Sequence, residues 1–337
     1  MSARAASAEV RYGPLVAALA ALTFVAALVS LMVGYAHLDV AAALADAFAG
    51  RATAAAVVLE QIRLRRAALV AMVGFSLGLA GAALQGLLRN PLADPGVIGV
   101  SGGAALGAVV VFYSGLAGAF ALAMPLGGVV GAVVAALLLY ALVGRGAGTM
   151  TLILAGVTVN SFAGALTALA LNLSPNPYAA YEIMFWLMGS LADRSLPQLW
   201  LAAPLTVVGW ALLLTSAPAL DALTLGEDTA ASLGFDLGRL RAQLVAGAAL
   251  AVGAAVAVTG AIGFVGLVAP HLLRPWVGDR PGRLLLVSGF GGAIVLLVAD
   301  VAVRLIPVHP ELKLGVATAL IGAPLLYRLI DRMRREA

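Results

Sequence analysis

The sequence predicts an all-α, polytopic membrane protein that crosses a bilayer about ten times. Three observations carry that expectation. Hydrophobic residues fill 63% of the 337 positions and charged residues only 11%, whereas a water-soluble domain carries roughly 25% charged residues. Apolar runs of about 20 residues, the length of a spanning helix, recur from end to end. Lipid cannot satisfy backbone polar groups, and an open chain meets that demand as helices, which bond to themselves. The same composition excludes solvated disorder. The absence of cysteine excludes a disulfide framework, a thiolate metal site and a cysteine nucleophile.

In chain order the expected spans are 13–36, 64–88, 95–113, 119–143, 149–172, 196–215, 240–259, 262–276, 284–305 and 313–330. The first is too long for the apolar core of a signal peptide and is followed by nine more, so it reads as an uncleaved helix. The eighth is short, about 22 Å at 1.5 Å per residue. Residues 1–12 form a short N-terminal tail, and 13–337 a single transmembrane domain with a short non-spanning helix at about 224–235.

Ten spans put both termini on one face. That face carries thirteen basic residues, Arg4, Arg11, Arg89, Arg145, Arg239, Arg241, Arg274, Arg280, Arg283, Arg328, Arg332, Arg334 and Arg335. The other carries seven, Arg51, Arg63, Arg65, Arg66, Arg194, Arg304 and Lys313. The excess places the termini in the cytoplasm. Three arginines crowded at 63–66 run against this trend. The net charge of +4 is too small and too scattered for a nucleic-acid groove.

Many of the 39 glycines lie inside the spans, and Gly74/Gly78, Gly103/Gly107 and Gly127/Gly131 have the four-residue spacing that lets helix backbones approach. Together they predict a tightly packed bundle.

Several segments carry more specific information. The single lysine, Lys313, lies in Glu-Leu-Lys-Leu-Gly, and no phosphate-binding glycine–lysine loop occurs, so ATP hydrolysis on this chain is not expected. The three histidines, His37, His271 and His309, are far apart and predict no metal site. In 81–104, Asn90-Pro91 ends one span and Asp94-Pro95 starts the next, with Asp94 as N-cap and Pro95 at the first helical position. Gln85 and Asn90 there either line a path or belong to a tight turn. In the 221–239 connection, Thr224 and Glu227 fit a capping box, and Gly234 stops the short helix. That helix would present Ala230, Ala231 and Leu233, either to a soluble partner or as an ordinary connector. Within 260–274, Pro270 should kink or end a helix and free a carbonyl. Asp300 and Arg304 have the i,i+4 spacing of an ion pair. Alternatively, Arg304 joins Arg63 and Arg66 in a basic outer rim for an acidic partner.

Taken together, these segments resemble the FecCD family of ABC-importer permeases, which move iron–siderophore complexes, haem and cobalamin. The likeness covers about residues 55–330 and rests on 85–96 (QGLLRNPLADPG), 186–191 (WLMGSL), 225–234 (LGEDTAASLG), 263–274 (GFVGLVAPHLLR) and 311–324 (ELKLGVATALIGAP). The resemblance implies a type II importer bundle of ten helices and a homodimer with the path at its interface. It also implies two cytoplasmic ATPase subunits, which hold ATP and magnesium, and an extracytoplasmic binding protein. This chain would bind no cofactor. ATPase coupling would fall to Leu225, Gly226, Glu227, Ala230, Ala231, Leu233 and Gly234, and binding-protein docking to Arg63, Arg66 and Arg304. With Gln85, the gate would comprise Asn90, Leu92, Thr149 and Met150. Arg65, Ala261 and Lys313 stand where the family has prolines, which leaves less rigid backbone at those points.

The expected function is the permease of an ATP-driven importer for a metal chelate in the bacterial inner membrane, with iron–siderophore ahead of haem and cobalamin. Alternating access between two packings would move the cargo. An ion-coupled secondary transporter would need ionisable groups at mid-membrane, and the span centres hold almost none.

Overall fold

The structure, a computed structural model, describes every residue except 1–10, 35–37, 145–147, 175, 193, 279, 309 and 337. Arg4, Arg145, His37, His309 and most of the 1–12 tail therefore lie outside the described residues. The helices are α1 (Tyr12–Met32), α2 (Val40–Phe48), α3 (Ala54–Val58), α4 (Arg65–Leu88), α5 (Val100–Tyr113), α6 (Ala123–Val143), α7 (Thr149–Asn172) and α8 (Pro177–Leu187). They continue as α9 (Leu196–Thr215), α10 (Ala217–Leu223), α11 (Glu227–Ser232), α12 (Leu237–Thr259), α13 (Val265–Val277), α14 (Pro281–Leu305) and α15 (Leu314–Glu336). A π-helical turn, Leu59–Leu64, joins α3 to α4 as one apolar rod.

Among the described residues, seven helices are long and apolar enough to span: α1, the 54–88 rod, α6, α7, α9, α12 and α14. Of the other three expected runs, two fall on shorter apolar helices, α5 and the first part of α15, and the third on the short α13. The 95–113 run is broken in two. Asp94 caps a 3-10 turn, Pro95–Ile98, by accepting from Gly96 N at 2.8 Å, and only after Gly99 (φ 78°) does α5 begin. Gly99 takes a left-handed conformation that glycine adopts without strain.

The rod, α12 and α14 form the buried centre, while few residues of α1, α6, α7 and α9 are fully buried within the chain. The glycine pairs decide which helices touch. Gly74 and Gly78 of α4 abut the backbone of Gly292 and Ser288 in α14. Gly103 and Gly107 of α5 face Gly131 and Gly127 of α6. A Cβ at any of these sites would overlap a facing carbonyl oxygen, so larger side chains would push the helices apart.

Of the outcomes expected at Pro270, the helix does not end there, and a carbonyl is freed. Helix α13 runs through Pro270 and Pro275 to Val277. Proline at 270 removes the bond that Gly266 O would accept, and the Gln85 side-chain amide donates to that oxygen instead at 3.4 Å. The helix survives because a neighbour replaces the missing donor.

Candidate docking, coupling and gate sites

The end of the bundle that holds Arg66 gathers the C-terminus of α1, the start of α4, the end of α14 and the segment before α15. Three arginines and two carboxylates meet there. Arg66 donates to Asp300 Oδ1 from Nε at 2.9 Å and from Nη2 at 2.7 Å. It also grips Glu311 with two nitrogens, Nη1 lying 3.1 Å from Oε2. Arg304 Nη2 lies 2.8 Å from Asp300 Oδ2, which realises the i,i+4 pair. Arg304 further donates to Ser30 O at 2.9 Å, Val33 O at 2.6 Å and Ser30 Oγ at 2.6 Å. Arg63 donates to Leu31 O at 2.8 Å and Met32 O at 3.2 Å. The last carbonyls of a helix have no partner within it. Here two guanidinium groups supply partners and place positive charge at the negative end of the α1 dipole.

This geometry corrects the expectation of an open basic rim. Arg63 and Arg304 are only 4% and 7% exposed, and Asp300 is fully buried. Within the chain these arginines first serve internal carboxylates and carbonyls. Asp300 and Glu311 lie 234 and 245 residues from Arg66, so no local spacing could link them.

The opposite end gathers the end of α4, the starts of α12 and α14, and the short helices α10 and α11. Asp221 of α10 accepts from Gly282 N at 2.7 Å, which fixes α10 to the start of α14. Between Gly226 (φ 115°) and Gly234 (φ 90°), α11 makes a separate turn. The capping box is absent. Gly226 occupies the N-cap, Thr224 Oγ1 donates to Asp221 O at 2.7 Å, and Glu227 pairs with Arg241 of α12 at 3.0 Å. The left-handed Gly226 turns the chain before Thr224 can reach α11, which frees Glu227 for a distant partner. Ala230 is also corrected. It is fully buried, while Leu225 (66% exposed), Ala231 and Leu233 (59%) project outward. The outward face thus sets Leu225, Ala231 and Leu233 beside exposed Asp228, Thr229 and Ser232, and it is held from beneath by Ala230 and by the bond from Phe235 N to Ala230 O at 3.1 Å.

Near this end the gate residues separate into two groups. Gln85 is buried and does not line a path. Its Oε1 accepts from Arg274 Nη2 at 2.8 Å, while its amide nitrogen serves Gly266. Asn90 is exposed and its Oδ1 accepts from Leu92 N at 2.9 Å, which closes the turn after α4. Leu92 is half-buried, and Met150 is exposed in the first turn of α7, where Thr149 begins the helix. Burial pushes the Asp94 carboxyl up from its ordinary value, with the Gly96 N–H acting against that shift. Among the described residues no three His, Cys, Asp or Glu side chains group as metal ligands.

Comparison with known proteins shows which class this multi-pass, glycine-packed bundle belongs to: the permease subunits of type II ABC importers. A solved ABC transporter, provisionally of the metal-chelate type and in an inward-facing conformation, superposes with a TM-score of 0.83. The match has 30% identity and covers 95% of this chain and 99% of that one. The chain belongs to the FecCD transport family, whose pattern matches residues 22–332. It is 39% identical over 82% of its length to a cobalamin import system permease of Halobacterium salinarum, covering 74% of that protein. An uncharacterized ABC transporter permease of Bacillus subtilis is 37% identical over 82% of this chain and 80% of its own. A vitamin B12 import system permease of Vibrio cholerae is 39% identical over 81% of this chain and 82% of its own. As such a subunit the chain is not itself an enzyme; the ATPase is a separate protein.

Proposed function

We infer that the chain is the membrane path of a metal-chelate importer and that cobalamin is its first candidate cargo. The carrying observation is the identity of 39% shared with cobalamin permeases across about four-fifths of the chain. An iron–siderophore complex, the expectation from family size, is the second candidate.

In this reading two copies of the single domain, 13–337, enclose the path, and the chain sits in the bacterial cytoplasmic membrane with both termini inside. Two ATPase subunits receive Ala231 on α11 and Leu225 and Leu233 at its two ends, while Gly226, Glu227, Ala230 and Gly234 hold that helix in place. Closure of the ATPase pair moves α11 and, through the Glu227–Arg241 pair, the start of α12. Asn90, Leu92, Thr149 and Met150 form the inner gate. A binding protein docks at the Arg63–Arg66–Arg304 end.

Proteoliposomes containing the permease, its ATPase and its binding protein provide the test. Labelled cobalamin, haem and a ferric siderophore are offered in parallel, with and without ATP. ATP-dependent uptake of cobalamin alone is expected. Uptake of the siderophore alone would reassign the cargo, and uptake driven by an ion gradient without ATP would refute the mechanism.

A further inference from the structure

Glu311 is the one carboxylate of the arginine cluster that can leave. Asp300 is fixed: it sits on α14, has no solvent exposure and serves both Arg66 and Arg304. Glu311 has a side chain 17% exposed and lies outside regular helix, next to Pro310 and ahead of α15. Arg66 lies between the two, with Asp300 on the closed side and Glu311 on the side nearer water. An external carboxylate can reach the Arg66 fork only where Glu311 now sits. Two carboxylates crowded on one guanidinium repel each other, and the bidentate geometry admits one at a time on each edge.

We propose that Glu311 is an internal stand-in for a carboxylate of the binding protein, so that docking exchanges one acid for the other on Arg66. This rests on the reading of the arginine end as the docking face. The partner surface it fits is acidic, presenting an Asp or Glu side chain long enough to enter the cleft beside Arg66. Exchange has a structural consequence. Releasing Glu311 frees 310–313, which leads directly into α15. The first turn of α15 is held by Gly315 N donating to Gly189 O at 3.3 Å and by close packing of Gly315 on Met188 and Ala261. Docking therefore loosens the start of α15 at the moment the binding protein arrives.

The test uses the full-length permease in nanodiscs and the binding protein of the same importer. A hexaglutamate peptide serves as a competing carboxylate probe and hexaserine as its control. The isosteric E311Q variant removes the internal competitor and should dock roughly threefold to tenfold more tightly than the parent. Hexaglutamate should displace the binding protein and hexaserine should not. If hexaglutamate competes but E311Q docks no more tightly, exchange is overturned while the docking face stands. If hexaglutamate does not compete, the docking face itself is wrong. Hydrogen exchange on the unmodified protein gives a readout independent of folding of the variant. The amides of Gly315, Val316 and Ala317 should exchange faster in the docked complex, and protection of these amides on docking would overturn the proposal.

Discussion

The two ends of the bundle invert the usual distribution of side chains. At one end three arginines, among the most polar groups in the chain, are withdrawn from water into a shared cluster with Asp300 and Glu311. At the other, two leucines that flank a short helix stand in the open, at 66% and 59% exposure. The first arrangement includes contacts spanning more than 200 residues of chain, and the second is a turn of nine residues from Gly226 to Gly234. A buried ionic cluster is stable only while each charge keeps its partner. An exposed apolar face leaves the monomer intact and gains stability only when something covers it. The arginine end is therefore part of what holds the fold together, whereas the exposed leucines beside α11 contribute little to it.

The sharpest way to break this comparison is D300N. It removes the carboxylate shared by two buried guanidinium groups and should cost about 3–5 kcal/mol of stability, read as a lowered thermal midpoint in detergent. A midpoint unchanged from the parent would mean that the cluster is solvated and not structural. Next comes L233E on α11. It should reduce co-purification of the ATPase by about tenfold or more, as for an apolar hot spot, with no loss of thermal stability. Normal co-purification would remove α11 from the coupling role. A230E separates the two faces of the same helix, because it places a charge in a buried site and should lower stability as well as assembly.

A smaller effect comes from salt. Association at the arginine end should weaken as ionic strength rises, because screening acts on charges meeting across water. Association through Leu225 and Leu233 should stay flat or strengthen. Equal salt dependence at both ends would contradict the division between them. The smallest effect is that of E227Q. Its partner Arg241 is held in a partly solvated pair, so stability should change by about 0.5 kcal/mol or less, measured by thermal melting.

Much of the framework was legible in the residues. Apolar run length located the seven helices long enough to span, because the lipid core sets that length, and it also marked three runs that fold as shorter helices. The i,i+4 glycine pairs marked helix contacts, and the structure adds that two of the pairs, 103/107 and 127/131, face each other. Asp94-Pro95 showed its cap because capping acts over two or three residues. The capping box at Thr224 failed for the complementary reason. Its side chains have the right spacing, but Gly226 bends the chain between them, and spacing alone does not report a dihedral angle. Gln85 was misread as path-lining because its polarity was visible and its partners were not. The carbonyl freed by Pro270 and the guanidinium of Arg274 reach it from 181 and 189 residues away.

By itself, then, the sequence determined the class of protein, its helical periods and the positions of its rare charges, since these follow from local chemistry and from the solvent a segment must match. Only the tertiary structure decided what the charges do. Whether an arginine in a membrane protein faces water, a partner or a carboxylate depends on which helices lie beside it. That choice turned Arg63 and Arg304 into caps for α1, placed Arg66 between Asp300 and Glu311, and sent Ala230 inward beneath two exposed leucines. The physical reason is range: propensity and spacing act within a few residues, whereas burial of charge is settled by neighbours brought together from across the chain.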